Sequence, residues 1–261
     1  MPRRLLDSNP QRERRLQMLL LDRIAKQNER RIAADIASTT EKVVKEWQAT
    51  GRIELPPEHE KTLYNILYGA WNSSIRALAS RVLTQGKSTG RILETKQEEF
   101  EDAYEYFVAS YIETVGGALI VRDIAETTIN QIMTQVDIGR RDGLGQAAIA
   151  ESIVERVGVI SYQRAAVIAR TETHSAANYG AQQAALKTGL PMMREWIAAN
   201  QPGRTRDTHI QAMLDTEKNP VGMDEPFKVG QAELMYPGEP NRDYPEETIN
   251  CRCAVGYIVQ D

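Results

Sequence analysis

From Glu58 to Leu190 the chain contains no proline. Proline in a helix interior removes a backbone donor and clashes with the preceding turn, at a cost of about 3 kcal/mol. A stretch this long that avoids it is free to be helical throughout. Seven of the 11 prolines then fall from Pro191 onward, together with five glycines. The pattern predicts a mostly α protein with long N-terminal helices, a helical body, and a small C-terminal α+β domain rich in turns. The expected divisions are residues 1–90, 91–190 and 191–261.

Apolar spacing fills in the helices. Leu16, Leu20, Ile24, Ile32, Ile36, Val43 and Trp47 recur at helical intervals, which predicts one helix of nearly forty residues from Pro10 to about Gly51. At 1.5 Å per residue it would extend roughly 55–60 Å, a length suited to an arm lying along a partner. A second helix is expected from Glu58 to Thr84, carrying Leu63, Leu67, Trp71, Ile75 and Leu78, followed by a loop over Gly86–Gly90. A third covers about Ile92 to Val136 with a bend at Gly116-Gly117, and its aromatic set Phe100, Tyr104, Tyr106, Phe107 and Tyr111 is assigned to the core. Two shorter helices follow in this reading, Gly145–Val157 and one from Ser161 to Gly189. In the second of these a stripe of Ala and Gly suits close backbone approach. Arg170, His174 and Asn178 share one face of it, while Glu172 points roughly 200° away from Arg170, so one of the two charges fixes the tail and the other faces solvent or a second partner.

Charge is distributed unevenly. Residues 1–52 carry 12 Lys+Arg and 7 Asp+Glu, whereas residues 191–261 carry 7 and 12. Arg12, Arg14, Arg15, Arg23, Arg30 and Arg31 make the first helix a candidate partner-binding arm for an acidic surface or a nucleic acid. No apolar run reaches the roughly 18 residues of a membrane span. Two cysteines one residue apart do not staple a secreted module. The expectation is a soluble intracellular protein.

The tail holds the chemistry. A strand is expected at Glu195–Ala199, a short helix over Arg206–Leu214 capped by Thr205, and a strand over Cys251–Val259. On that strand Cys251 and Cys253 face one way, and two thiols at i, i+2 can grip a soft metal ion. Zinc prefers four N, S or O ligands. His209 is the natural third, and His174, Asp207 or water stand open as the fourth. A structural Zn2+ site and buried small hydrophobes are both compatible with this pattern.

The ordered runs IAETTINQI near Ile124, YQRAAVIARTETHSAANYGAQQAA, REWIAANQPGRTRDTHIQAM, DEPF, MYPGEP and INCRC resemble the phage Mu F-like minor head protein family. The similarity covers about residues 120–257. In other members the last motif often reads H-P-N-C-R-C, and here Thr248-Ile249 stands in place of His-Pro. The resemblance implies a structural, non-enzymatic virion protein of a tailed bacteriophage. It implies association with the portal protein in procapsid assembly, with major capsid or scaffolding protein and packaged DNA as further partners, and a location inside the head near the portal vertex. The motif positions are Arg170, Glu172, His174, Trp196, Arg204, Arg206, His209, Asn250, Cys251, Arg252 and Cys253, with Phe227 and Pro237 as packing or turn positions. Alternatives are DNA binding through the basic arm and, less favoured, a metal-dependent nuclease built on His209 and the cysteines.

Overall fold

The computed structural model describes residues 3–4, 9–88, 97–199 and 202–260. The elements run β1 (Arg3–Arg4), α1 (Pro10–Thr50), α2 (His59–Ser88), α3 (Gln97–Val115), α4 (Gly117–Arg141), α5 (Gln146–Lys187), β2 (Met192–Ile197), α6 (Asp207–Lys218), β3 (Val221–Gly222), β4 (Phe227–Val229), β5 (Ala232–Leu234), α7 (Pro245–Thr248) and β6 (Ala254–Val259). The fold is predominantly helical, with a small β region among the C-terminal elements, as the proline distribution predicts. No helix among the described residues is long and apolar enough to cross a membrane.

Helix α1 has the predicted extent, but its N-terminal half buries a different stripe. Leu16 and Leu20 are exposed, while Glu13, Arg14, Gln17 and Leu21 are buried. Glu13 can turn inward because both of its carboxylate oxygens accept from Arg81 Nη2 at 2.9 and 3.0 Å, and one also accepts from Gln17. A paired carboxylate is tolerated where an unpaired one is not. Helix α2 continues to Ser88, so the expected loop at Gly86 is helix, and Gly90 and Ile92 lie outside the described residues. The predicted bend appears as a full break between α3 and α4, where Gly116 takes φ 67°. Tyr104, Phe107 and Tyr111 are core as expected. Tyr106 is exposed, a correction to the aromatic set, and the Phe100 side chain lies outside the described residues. The two short helices after Gly145 are one helix of 42 residues, α5, which passes through Gly158 and Ser161. A lone glycine costs a helix only about 1 kcal/mol, so it does not end one that is held by packing. Gly189, at φ 66°, lies just past its end.

The chain divides into two compact units, residues 1–25, 70–111 and 170–261 in one and residues 26–69 and 112–169 in the other. The second has an apolar core of Val43, Val44, Trp47, Ile132, Val136, Ile149, Ile153 and Val157. In it, buried His59 meets Asp35 at 3.0 Å and Thr39 at 2.9 Å.

The first unit contains the sheets. Four strands pair antiparallel in the order β1-β6-β2-β3, and β4 and β5 form a separate hairpin. The central pair runs in register from Met192 opposite Val259 to Ile197 opposite Ala254. Helix α5 lies close to α2 through its small residues. A Cβ at Gly180 would sit 2.8 Å from the Ile75 Cα and carbonyl oxygen, so only glycine fits.

Arg194 of β2 is wholly buried, on the same face as Trp196. Its guanidinium donates to the carbonyls of Gly222, Glu225 and Met235 and to Gln182 Oε1, with its carbon 4.9 Å from the Phe227 ring centre. Replacing it by an apolar side chain of similar length leaves those acceptors without donors. Arg194→Met is expected to destabilise the protein by about 2–4 kcal/mol, measured by urea unfolding. A loss no larger than that of an ordinary surface substitution, about 0.5 kcal/mol, would show that the network contributes little.

Candidate metal centre

The C-terminal face of α5 positions the tail. Arg170, His174 and Asn178 point the same way, as the helical spacing predicts. The Asn178 amide donates to the carbonyls of Pro237 at 3.0 Å and Cys253 at 3.1 Å. Arg170 Nη1 donates to Asn250 Oδ1 at 2.6 Å, and the Asn250 backbone N–H donates to Thr171 Oγ1 at 2.9 Å. Arg206 Nη2 donates to the Ile249 carbonyl at 2.7 Å. Residues 249–253 are therefore clamped along their length. Asn250 adopts φ 61°, a left-handed conformation that asparagine tolerates better than most residues. The expected strand over Cys251–Val259 begins only at Ala254, because the clamp takes Cys251 and Cys253 out of the ladder.

Helix α6 supplies the third group. It spans Asp207–Lys218, longer than expected, and its N-cap is Arg206 in extended conformation, in place of the predicted Thr205. Strand β2 starts at Met192, earlier than expected. His209, in the first turn of α6, is buried, with Nδ1 3.2 Å from Cys253 Sγ and 3.8 Å from Cys251 Sγ. The three donor atoms lie within 4.8 Å of one another. Tetrahedral zinc with bonds of about 2.3 Å to sulfur and 2.0–2.1 Å to nitrogen needs its donors about 3.5–3.8 Å apart. The cluster can therefore hold a metal ion with little movement. His174 and Asp207 do not join it, which among the described residues leaves the fourth position to a solvent molecule or exogenous ligand.

Glu247 was not visible in the sequence as part of this cluster. It lies on α7, buried, and its Oε2 accepts from Thr208 Oγ1 at 2.8 Å and meets His209 Nε2 at 3.1 Å. A carboxylate on the far nitrogen orients the ring and raises its basicity as a ligand. Backbone N–H groups address the sulfurs as well: Cys253 N–H lies 3.4 Å from Cys251 Sγ, and Ala199 N–H hydrogen-bonds Cys253. Burial pushes the Cys253 thiol up, but hydrogen bonds with Cys251 and His209 outweigh it and hold it well below the ordinary thiol value. Cys251 is pushed well above that value by its hydrogen bond to Cys253, with burial adding to it. The two thiols are thus set apart in acidity, and a metal ion held there would need both as thiolates. Trp196 walls it, edge-on to His209 and to Phe227 at 5.4 Å each.

Cationic groups surround the cluster. A cavity of about 380 Å³ beside it is lined by Arg170, Arg204, Arg206 and Arg252 along with Asn250 and the cluster itself. Arg14 of α1 is also buried, and its charge interacts with Cys251, Cys253 and Arg252. His174 is held neutral, its pKa pushed down to about 3 by burial and by Arg252, Arg170 and Arg14.

This constellation joins the ARTET helix, the RTRDTH turn and the NCRC segment, motifs that lie far apart along the chain. The chain carries a Phage Mu protein F like domain. The family model matches residues 130–256, close to the span over which the motifs run. No curated protein and no solved structure matches the chain. The Mu F-like proteins are a head-morphogenesis family and are structural, not catalytic.

In the Mu F-like domain Glu172 faces away from the tail cluster, as helical spacing predicts. Of the two settings left open for the charge away from the tail, solvent or a second partner, it takes the second: it is buried and accepts from Trp71 Nε1 at 2.9 Å. Tyr111 nearby donates to Ser175 Oγ at 2.9 Å and packs against Trp71 and Tyr179. Burial raises the Glu172 pKa to about 7, partly offset by the Trp71 hydrogen bond. A folded-state pKa above the unfolded value means that the native state binds the proton more tightly. Its contribution to stability is fully present below about pH 4.5 and is lost as pH rises through 7. Glu172→Gln keeps an acceptor for Trp71 without the charge. The variant is expected to gain stability relative to wild type at pH 8 and to match it near pH 4.5, measured by thermal melts across that range. A stability difference that does not change with pH would place the charge of Glu172 elsewhere than in this buried setting.

Proposed function

We propose that this protein is a minor structural component of a tailed-phage head that associates with the portal protein during procapsid assembly and aids genome packaging or delivery. The observation that carries the reading is the Mu F-like domain over residues 130–256. Residues 1–90 are assigned to docking, residues 91–190 to a helical body and residues 191–261 to the compact tail. Major capsid or scaffolding protein and packaged DNA are further candidate partners, and the site of action is inside the capsid near the portal vertex. Support for an α1 docking face comes from Arg12, Arg15, Arg23, Arg30 and Arg31, which are exposed, alongside exposed Leu16, Leu19 and Leu20. Arg14 is buried and does not belong to that face.

Deleting α1 would remove buried residues, so surface substitutions are the cleaner test. Reversing Arg12, Arg15, Arg23, Arg30 and Arg31 to Glu is expected to abolish co-purification with the portal protein and incorporation into particles, read by mass spectrometry of purified virions. Unchanged incorporation would count against docking through α1. The same arginines support a second reading, DNA binding by the arm. That reading requires affinity to fall steeply with salt, because phosphate contacts release counterions.

Within the structural reading, His209, Cys251 and Cys253 hold Zn2+ as a brace for the tail. Full-length protein purified without chelator is expected to contain one equivalent of zinc by elemental analysis. Glu247→Gln should lower metal affinity by about 10–100-fold, and Cys251→Ser with Cys253→Ser should remove the metal. A zinc-free wild type that does not take up added zinc would leave the cysteines as packing residues.

A further inference from the structure

The chain has two cysteines, and the fold sets both at one spot. Their sulfurs and the His209 ring nitrogen lie within 4.8 Å of one another. The local backbone brings this about. Asn250 turns left-handed at φ 61°, and the Cys253 N–H lies 3.4 Å from Cys251 Sγ, so the first side chain folds back toward the residue that carries the second. On a regular strand the Cα atoms of residues i and i+2 stand about 6.4–6.8 Å apart, the far edge of the separation a disulfide spans. The pair lies ahead of β6, which begins at Ala254, so it is not tied to strand spacing. Both thiols are free and buried, yet both residues line a cavity of about 380 Å³ that also borders exposed Arg204. A small uncharged oxidant reaches them by that route.

We propose that Cys251 and Cys253 form a site of reversible oxidation, closing a disulfide with each other when a peroxide enters the cavity. One thiol attacks a peroxide oxygen, the O–O bond breaks, and a sulfenic acid and water result. The second thiol attacks that sulfur, the S–S bond forms, and the sulfenic oxygen leaves as water. The two sulfurs give up two electrons, and hydrogen peroxide is reduced to two molecules of water. The product is labile by construction. Residues 249–253 are held by Arg206 on the Ile249 carbonyl, Arg170 on Asn250 and Asn178 on the Cys253 carbonyl, and His209 Nδ1 lies 3.2 Å from Cys253 Sγ. Drawing the sulfurs together works against these contacts, and a disulfide that opposes its surroundings is readily reduced. The loop it closes is also too short to take much entropy from the unfolded chain. Oxidation therefore loosens the tail, and a cellular thiol restores it. The inference rests on the sulfur positions and holds with or without a metal. A bound ion would be released, because a disulfide offers no thiolate.

The test exposes full-length protein, both zinc-loaded and stripped with a chelator, to a small excess of hydrogen peroxide. Folded protein is expected to lose both thiols, counted with a chromogenic thiol reagent, and to become lighter by the mass of two hydrogens. Mass spectrometry of its peptides should locate the cross-link between Cys251 and Cys253. Glutathione is expected to restore both thiols, and the oxidised form is expected to melt below the reduced one. Cys251→Ser and Cys253→Ser, taken singly, should each stop at a sulfenic acid that dimedone traps. In the zinc-loaded form the ion should appear in solution as the thiols disappear. Protein that takes up no zinc yet closes the disulfide upholds this inference while the metal reading fails, so the two are separable. Thiols that resist peroxide in both forms until urea unfolds the chain overturn the proposal. So do conversion to sulfinic acids without a disulfide, bonds formed only between chains, and a disulfide that glutathione leaves intact. An oxidised form that melts above the reduced one would make the bond a staple, which overturns it as well.

Discussion

A buried guanidinium with carbonyl partners alone organises the sheet side of this protein. Arg194 is desolvated, and a cation without water is tolerated only when every donor is matched. Here the matching atoms come from α5, from the β3 segment, from the turn at Glu225 and from Met235 before the Tyr236-Pro237 turn. Separate stretches of the chain thereby acquire fixed positions around one side chain. The geometry is specific because a planar fork addresses several acceptors at once, which a lysine ammonium does not. Strand β2, so anchored, presents Trp196 to both His209 and Phe227, so the His209–cysteine cluster inherits its wall from the same network.

Helix α5 performs the complementary task for the segments that follow β5. One face of it carries Arg170 and Asn178, which hold residues 249–253 and the Pro237 turn, while Glu172 is turned to Trp71 of α2. Side chains two residues apart on a helix point in widely different directions, so the ARTET motif serves two sets of neighbours. The Glu172 contact is buried, whereas that of Arg170 is exposed. The arrangement explains why α5 is buried on nearly every side between Glu172 and Ala185: a helix covered all round has no solvent face to mark with polar residues.

Much of the fold was legible because it rests on local rules. Proline avoidance marked the helical region, and the stripe Leu63, Leu67, Trp71, Ile75 and Leu78 is buried where 3.6-residue spacing puts it. The motif residues His209, Cys251 and Cys253 converge as their chemistry suggested. Failures arose where long-range contacts overrode local preference. Gly158 and Ser161 looked like helix ends but lie inside a packed helix. Leu16 and Leu20 looked like core, yet the inward positions of α1 belong to Glu13 and Gln17 because Arg81, on a different helix, supplies the partner. Arg194 carried a faint sign, a charge on the same strand face as Met192 and Trp196. Glu247 carried none: it is one of two adjacent glutamates, and only the fold selects which faces His209.

The unit that holds the His209–cysteine cluster is assembled from residues 1–25, 70–111 and 170–261, whereas its companion is complete by residue 169. On the ribosome this imposes an order. Trp71, Ile75 and Tyr111 emerge long before the α5 face and the strands that cover them, and at ordinary elongation rates the wait is on the order of ten seconds. Once residue 169 has been made the companion unit has all of its own chain and can condense, while the other must still stay open. Native topology therefore builds in a vulnerable interval during biosynthesis, which closes only when the segments from residue 170 onward reach the earlier elements.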